Sequence, residues 1–493
     1  MSVEKIFPEE AASVVRNGDT VAFSGFTPAG CPKVVPHHIA MRAVREHEFG
    51  REFKINILSG ASTCDAIDGE LSRADAVLSK FPYQTDSTMR SGINHGKIRY
   101  CDLHISQCAQ YLCDGLLGKI DVAIVEAADV LNGCELVLTT GVGLTPLFCK
   151  LADKIIIELN GYHGSKIFGL HDIYDVGKFG YRKHIPIFSP GDRIGEKIVK
   201  IDKAKVIGIV ETNIPDSNFA LSEFSLETNQ IGQNVANFLI GEMHTGRIPV
   251  QFLPLQSGVG SIANSVLRAI NECGDIPNYA MYSEVLQDAA IDGIKSDKIL
   301  FGSACALSVT NGCLHEIYDN YDFFSKRLLL RPMNIANNSE VIGRLGLISV
   351  NTALEADLFG NVNSTHVFGK DIVNGIGGAA DFSRNAYLSI FTCKSTAKNG
   401  CLSTIIPMCT HIDHSEHSVK ILVTEYGVAD LRAKTPIERA NAIIDNCVHP
   451  EYRDVLRKFL SFGGKSHEPV DIFKAYNMHR AFQQCGDMRM VEW

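Results

Sequence analysis

Short, almost uninterrupted apolar runs recur along the chain, and they constrain its fold more than any other feature. GDTVAFSGF (Gly18–Phe26), FKINILSGA (Phe53–Ala61), KIDVAIVEA (Lys119–Ala127), KIIIELN (Lys154–Asn160) and KVIGIVET (Lys205–Thr212) are rich in Val and Ile and often close on Gly, Asn or Thr. A strand with one wet face alternates apolar and polar residues. These runs do not, so both faces are buried, as in a parallel sheet covered by helices on either side. RIPVQFLPL (Arg247–Leu255), NYAMYSEV (Asn278–Val285), LGLISVNTALEAD (Leu345–Asp357), LSIFTC (Leu388–Cys393) and KILVTEYG (Lys420–Gly427) repeat the style. The expected class is α/β: two tandem open α/β domains with mostly parallel sheets flanked by helices. A length of 493 residues accommodates two such units. A Pro/Asp/Ser/Asn stretch followed by a helical pattern from about Glu227 places the boundary near 215 to 225, giving domains 1–220 and 221–493. No sequence repeat is readable between the halves.

A formal charge of -9 with no long basic run argues against a nucleic-acid partner. The acidic, amphipathic start MSVEKIFPEEAASVVRNGD resembles neither a secretory leader nor an organelle presequence, and no apolar run reaches spanning length, so no membrane partner is expected. The 15 cysteines are odd in number and form no CxxC pair, which fits free thiols in a reducing cytoplasm.

Three segments carry the chemistry. In PLQSGVGSIANSVLRAI a strand meets Ser257, Gly258, Val259 and Gly260, then a helix bearing Ile262, Ala263, Val266, Leu267 and Ile270. Bare amides at a positive helix end suit a phosphate, a carboxylate or an oxyanion, although the same turn also lets helix and sheet approach closely. The segment lacks the full dinucleotide fingerprint and the ending of a P-loop. Glu284, in YSEVLQDAAIDG, follows the strand NYAMYS with Ser283 and Val285 beside it and no adjacent basic residue. That is the carboxyl end of a strand, where open α/β sheets bind ligands. In NGIGGAADFSRNA, Gly375, Gly377 and Gly378 present amides with no side chains in the way, as an oxyanion site requires. The alternative is a plain turn with Asp381 capping the helix that follows. A carboxylate between two amide-rich loops points to covalent carboxylate chemistry.

Two further patterns attract attention. HIDHSEH (His411–His417) spaces three histidines by three with Asp413 and Glu416 between them, which suggests zinc. Two successive spacings of three drift round a helix and no HExxH is present, so no metal is expected. Cys101, Cys108 and Cys113 fit no common cluster and read as structural thiols.

NNSEVIGRLGLISVNTALEADLFGNVNSTHV, NGIGGAADFSRNAYLSIFTCKSTAKNG, STIIPMCTHIDHSEHSVKILVTEYGVADLRAKTPIERANAIIDNC and QSGVGSIANSVL with YSEVLQDAAIDG closely resemble the acetyl-CoA hydrolase/transferase family, most of all its succinyl-CoA:acetate CoA-transferases. The resemblance implies two tandem CoA-transferase domains and a glutamyl-CoA thioester on Glu284. It assigns Val259, Gly260, Ser261, Ile262 and Ala263 to a CoA-binding segment, and Asn374, Gly378 and Lys398 to further CoA contacts. Asn337 and Glu425 match positions near the family's active site, and the Gly260 and Gly378 amides are candidate oxyanion donors. The segment Gly161–Gly195 does not align. The implied reaction moves CoA from succinyl-CoA to acetate by a ping-pong route through acyl-glutamyl anhydride and glutamyl-CoA. Exchange of one thioester for another is near neutral, so no permanently bound cofactor is expected, only coenzyme A as substrate and covalent intermediate. The expected partners are acyl-CoA, small carboxylates and a second copy in a homodimer. The same residues suit a short-chain acyl-CoA hydrolase, and a CoA-binding protein without catalysis would keep the loops but tolerate loss of Glu284.

Overall fold

The computed structural model describes residues 3–493 apart from 62, 178–179, 183 and 218–224. The expected boundary at 220/221 lies outside the described residues. Strands β1 (Thr20–Phe23), β2 (Ile55–Ser59), β3 (Val77–Phe81), β4 (Arg99–Tyr100), β5 (Val122–Ala127), β6 (Lys154–Asn160) and β7 (Val206–Thr212) form a parallel sheet in the order β7-β6-β5-β1-β2-β3-β4. Strands β8 (Leu255–Ser257), β9 (Tyr279–Tyr282), β10 (Ile299–Ala304), β11 (Leu328–Leu330), β12 (Ile348–Thr352), β13 (Leu388–Thr392), β14 (Ile421–Thr424) and β15 (Gly427–Asp430) form the second, ordered β11-β10-β9-β8-β12-β13-β14-β15. Its pairings are parallel except for the closing β14–β15 hairpin.

The two sheets share one winding. In each, the first strand lies in the middle, the next three step outward to one edge, and the following three extend the other side, where the second sheet adds the antiparallel β15. The duplication is thus one of topology, without a repeat in the letters.

Burial explains the uninterrupted apolar runs. In β1, Ala22 faces a core continuous with the second half, while Val21 and Phe23 face a separate core closed by Val35, Ile39 and Ala43 of the helix Val34–Glu48. In β13, Ile390 faces the shared core and Phe391 packs under the helices Pro436–Asn446 and Pro450–Phe462. Of the expected strands, RIPVQFLPL is corrected: only Leu255 is in a strand, and Phe252 N–H closes a turn on Pro249 O at 2.9 Å. Pro249 and Pro254 donate nothing to a ladder, which keeps that run out of the sheet.

The carboxyl ends of the two sheets meet. Leu307 N–H donates to Thr140 O at 2.9 Å, Val142 N–H to Cys305 O at 3.0 Å and Met333 N–H to Gly143 O at 2.9 Å, and the hydroxyls of Thr27 and Ser308 lie 2.6 Å apart. In the first half the helix after β1 begins under the Glu158 carboxylate at the end of β6, which accepts from the amides of Lys33 at 2.6 Å, Val34 at 3.0 Å and Val35 at 3.0 Å. The equivalent helix of the second half, Ser261–Glu272, starts at Gly260 with no side-chain cap. No helix among the described residues is long and apolar enough to cross a membrane.

Candidate active site

Glu284 sits two residues beyond β9, on the seam between the sheets. Its own carbonyl accepts from Cys305 N–H at 2.8 Å and Ala306 N–H at 3.1 Å, so the backbone under the side chain is tied to the end of β10. Neighbouring Ser283 donates its hydroxyl to Ser257 O at 3.1 Å, linking this turn to the first glycine loop.

The Glu284 carboxylate is partly exposed but closely surrounded. Asn337, fully buried, donates Nδ2–H to Oε1 at 2.6 Å, and the same amide reaches Asp381 Oδ2 at 3.3 Å. Gly378 presses on the same oxygen: a Cβ there would lie 1.8 Å from Oε1 and 2.3 Å from Asn337 Nδ2, so only glycine fits. Burial pushes the Glu284 pKa up to about 8, against the Asn337 hydrogen bond and with the negative charge of Asp381 adding to the rise.

The second glycine loop is held mainly from the first half of the chain. Gln84 Nε2 donates to Asn374 O at 3.0 Å, Tyr100 Oη to the same oxygen at 3.3 Å, and Ile376 N–H to both oxygens of Asp102 at 3.0 Å. Asp381 does not cap its own helix, Ala379–Asn385, whose N-cap is Gly378. Its carboxylate instead accepts from Ser106 N–H at 3.1 Å and Ser106 Oγ at 2.6 Å, at the start of the helix Ile105–Cys113. Burial lifts the Asp381 pKa to about 6 and that of Asp102 to about 7. Tyr83 is raised by burial, with Glu284 and Asp102 adding, so it stands protonated beside both.

The first glycine loop is open. Gly260 has φ +103°, a conformation that favours glycine, and a Cβ there would meet nothing within 4 Å. Val259 is 45% exposed. The first intrahelical bond runs from Asn264 N–H to Gly260 O at 3.0 Å, leaving the amides of Ser261, Ile262 and Ala263 at a free positive helix end.

Lys398 lies exposed at the turn of the hairpin Thr396–Ala397 and Leu402–Ser403; its carbonyl accepts from Cys401 N–H at 3.2 Å, and its ammonium has no hydrogen-bond or ion-pair partner among the described residues. Glu425 is turned to the strand-end loop after β13, where Ser395 donates its amide at 2.9 Å and its hydroxyl. No hydrogen bond or ion pair joins either residue to Glu284. The geometry therefore gathers Glu284, Asn337 and Gly378 with Asn374 close along the chain. It adds Tyr83, Gln84, Tyr100, Asp102 and Ser106, which sequence reasoning missed because they end or follow β3 and β4, strands too short or too mixed to register.

HIDHSEH is irregular rather than helical. His414 is buried with its Nε2 3.1 Å from Ser364 Oγ, His411 Nε2 lies 3.2 Å from Asp413, and the His417 side chain is 83% exposed. The cluster of potential metal ligands found among the described residues is instead Glu126, His163 and Asp216, buried in the first half. There the Lys33 ammonium lies 2.5 Å from Glu126 and 3.0 Å from Asp216, so a cation of the chain itself fills the place. Cys108 is buried, whereas Cys101 and Cys113 are exposed and free.

Comparison with known proteins agrees with this geometry. The model of the acetyl-CoA hydrolase/transferase N-terminal domain matches residues 3–211, and that of the C-terminal domain matches residues 314–460. The chain is 47% identical over 479 residues to the propanoyl-CoA:succinate CoA transferase of Escherichia coli (strain K12), covering 97% of each chain. It is 43% identical over 482 residues to the succinyl-CoA:acetate CoA-transferase of Clostridium kluyveri, covering 97% of this chain and 89% of that one. Among solved structures, RipA from Yersinia pestis shares the fold with a TM-score of 0.72 at 21% identity, covering 92% of this chain and 96% of the other. On the strength of both matched domains and of relatives aligned over nearly its whole length, the chain belongs to the acetyl-CoA hydrolase/transferase family.

Proposed function

We propose that this enzyme of CoA transfer moves CoA between succinyl-CoA and a short monocarboxylic acid, acetate first among them, through covalent intermediates on Glu284. The observation that carries the reading is the Glu284 carboxylate itself, seated against the Asn337 amide and the bare backbone of Gly378. Two CoA-transferases whose names include succinate or its thioester are 43% and 47% identical to this chain, which supports the acid class.

Ionised Glu284 attacks the acyl carbonyl of the thioester. The carbon–sulfur bond breaks, giving an acyl-glutamyl anhydride and CoA thiolate. The thiolate then attacks the Glu284 carbonyl and expels the donor acid as its carboxylate. An acceptor carboxylate attacks this glutamyl thioester, and the steps reverse to release the new acyl-CoA and free Glu284. Asn337 Nδ2–H and the Gly378 backbone adjoin the oxygen on which charge develops, and a well-placed donor contributes on the order of 3 kcal/mol. The open amides at Ser261 to Ala263 suit an anionic part of CoA, and exposed Lys398 suits its phosphates. The side-chain oxygens of Gln84, Asn337 and Asn374 are buried without hydrogen-bond partners among the described residues. They fit a ligand that brings N–H groups, as the amide-bearing arm of CoA does.

The test is incubation with succinyl-CoA alone, followed by intact and peptide mass spectrometry, and then addition of acetate. CoA held on the Glu284 peptide and discharged to acetyl-CoA supports the reading. Free CoA released steadily without any acceptor identifies the hydrolase instead, and the absence of an adduct in Glu284→Asp as well as in the unaltered enzyme refutes the covalent route.

A further inference from the structure

We propose that Asp102 is a positioning residue for transfer: it fixes the strap 372–378 from the opposite half of the chain and so keeps Gly378 seated against Glu284. The inference rests on the reading of Glu284 as the covalent carrier.

The strap is tied down from the first half along its length. Asn94 exchanges two hydrogen bonds with Ile372, each 2.9 Å, Arg90 donates to Val373 O at 3.1 Å, and Gln84 and Tyr100 donate to Asn374 O. Each of these uses a strap carbonyl or a neutral amide oxygen as the acceptor. Asp102 differs, because both its oxygens accept from Ile376 N–H at 3.0 Å, two residues before Gly378. A carboxylate acceptor makes this bond roughly twice as strong as a neutral one.

The fit around it leaves no slack. A Cβ on Gly375 would lie 2.9 Å from Asp102 Oδ1 and 2.5 Å from Tyr100 Oη, so the strap cannot slide toward the first half. On the far side Gly378 already meets Glu284, where a shift of a fraction of an ångström changes the contact with Oε1.

Asp102 also makes no ion pair among the described residues, and burial works against its charge. A largely buried carboxylate without a cation is a costly way to hold the amides of Ile376 and Leu103, since a neutral side-chain oxygen would serve. With its pKa lifted to about 7, Asp102 is charged in the range where Glu284 ionises, and there its charge adds strength at the point nearest the reacting oxygen.

The experiment compares the unaltered enzyme with Asp102→Asn, which preserves shape and one acceptor oxygen, at about pH 8 to 9 where Asp102 is ionised, in steady-state transfer and in single-turnover formation of the CoA adduct. The expected result is a fall of roughly 10- to 100-fold in kcat and in adduct rate, with KM for acyl-CoA held within about 3-fold. Gly375→Ala, which pushes the same strap, should lower kcat likewise, and the double variant should be no slower than the worse single. Equal rates for Asp102→Asn, or losses matched by the fraction of unfolded protein in a thermal melt, overturn the positioning role. If the unaltered enzyme forms no adduct, the function proposed above fails. If it forms one and Asp102→Asn forms it as fast, only the role of Asp102 fails.

Discussion

Removing the Asn337 amide should move the pH dependence of transfer upward, and the size of the shift follows from the site. The bond from Asn337 Nδ2 to Glu284 Oε1 is 2.6 Å long and opposes the rise that burial imposes on this carboxyl, whose pKa is about 8. A hydrogen bond to a charged group contributes about 1.5 to 3 kcal/mol, and each pKa unit corresponds to about 1.4 kcal/mol. Asn337→Ala should therefore raise the Glu284 pKa by about 1 to 2 units. On the proposed route the nucleophile is ionised Glu284, so activity should climb as pH passes the pKa, and the variant should lose about 10- to 100-fold near neutrality and regain it in alkali. A separate loss at all pH values should remain, because the same amide faces the developing oxyanion. Asp381→Asn provides the opposite sign. Asp381 titrates at about 6, so it is charged where Glu284 ionises, and deleting that charge should lower the midpoint. The assay is kcat/KM for succinyl-CoA between about pH 6 and 10, which reports the free enzyme. An unmoved midpoint in Asn337→Ala, or both variants moving the same way, would refute the electrostatic account.

Glu284 also bears on stability. Its folded pKa of about 8 exceeds the ordinary carboxylate value of 4.5, so the folded state holds this proton more tightly than the unfolded one. That contribution is fully present below about pH 4.5 and is lost as pH rises through about 8, a swing on the order of a few kcal/mol. Glu284→Gln never ionises and should melt at a higher temperature than the unaltered protein at pH 8 to 9, with no gain near pH 5; equal gains at both would contradict the assignment. Gly378→Ala, whose Cβ would lie 1.8 Å from Glu284 Oε1, should cut adduct formation on the order of 100-fold while CoA still binds, as isothermal titration would show.

Much of this was legible in the letters. The runs of β1, β2, β5 and β6 declared themselves because both faces of each strand are buried, edge strand β7 by its unbroken apolar run, and Glu284 and the glycine loops by position and by the absence of side chains. The outer strands were not legible: β4 and β11 are two and three residues long, and β10 exposes Leu300 within an otherwise buried run. The wall that the first half builds round Glu284 was hidden for a different reason. Asp102 and Tyr83 are ordinary loop residues and Ser106 an ordinary first-turn helix residue, and only the meeting of the two sheets, set by chain topology rather than by local pattern, brings them to a site some 180 to 200 residues away in sequence.

Glu158 has a consequence beyond its three hydrogen bonds. Each half of the chain creates the same electrical vacancy, a positive helix end at the rim of a parallel sheet. In the first half the vacancy is filled by a tethered tenant, and no dissolved anion at ordinary concentration can evict a group whose local concentration is fixed by the fold. In the second half the tenancy is left open at Gly260. Duplication therefore leaves one helix end open to an outside anion and makes the other a fixed part of the molecule's frame.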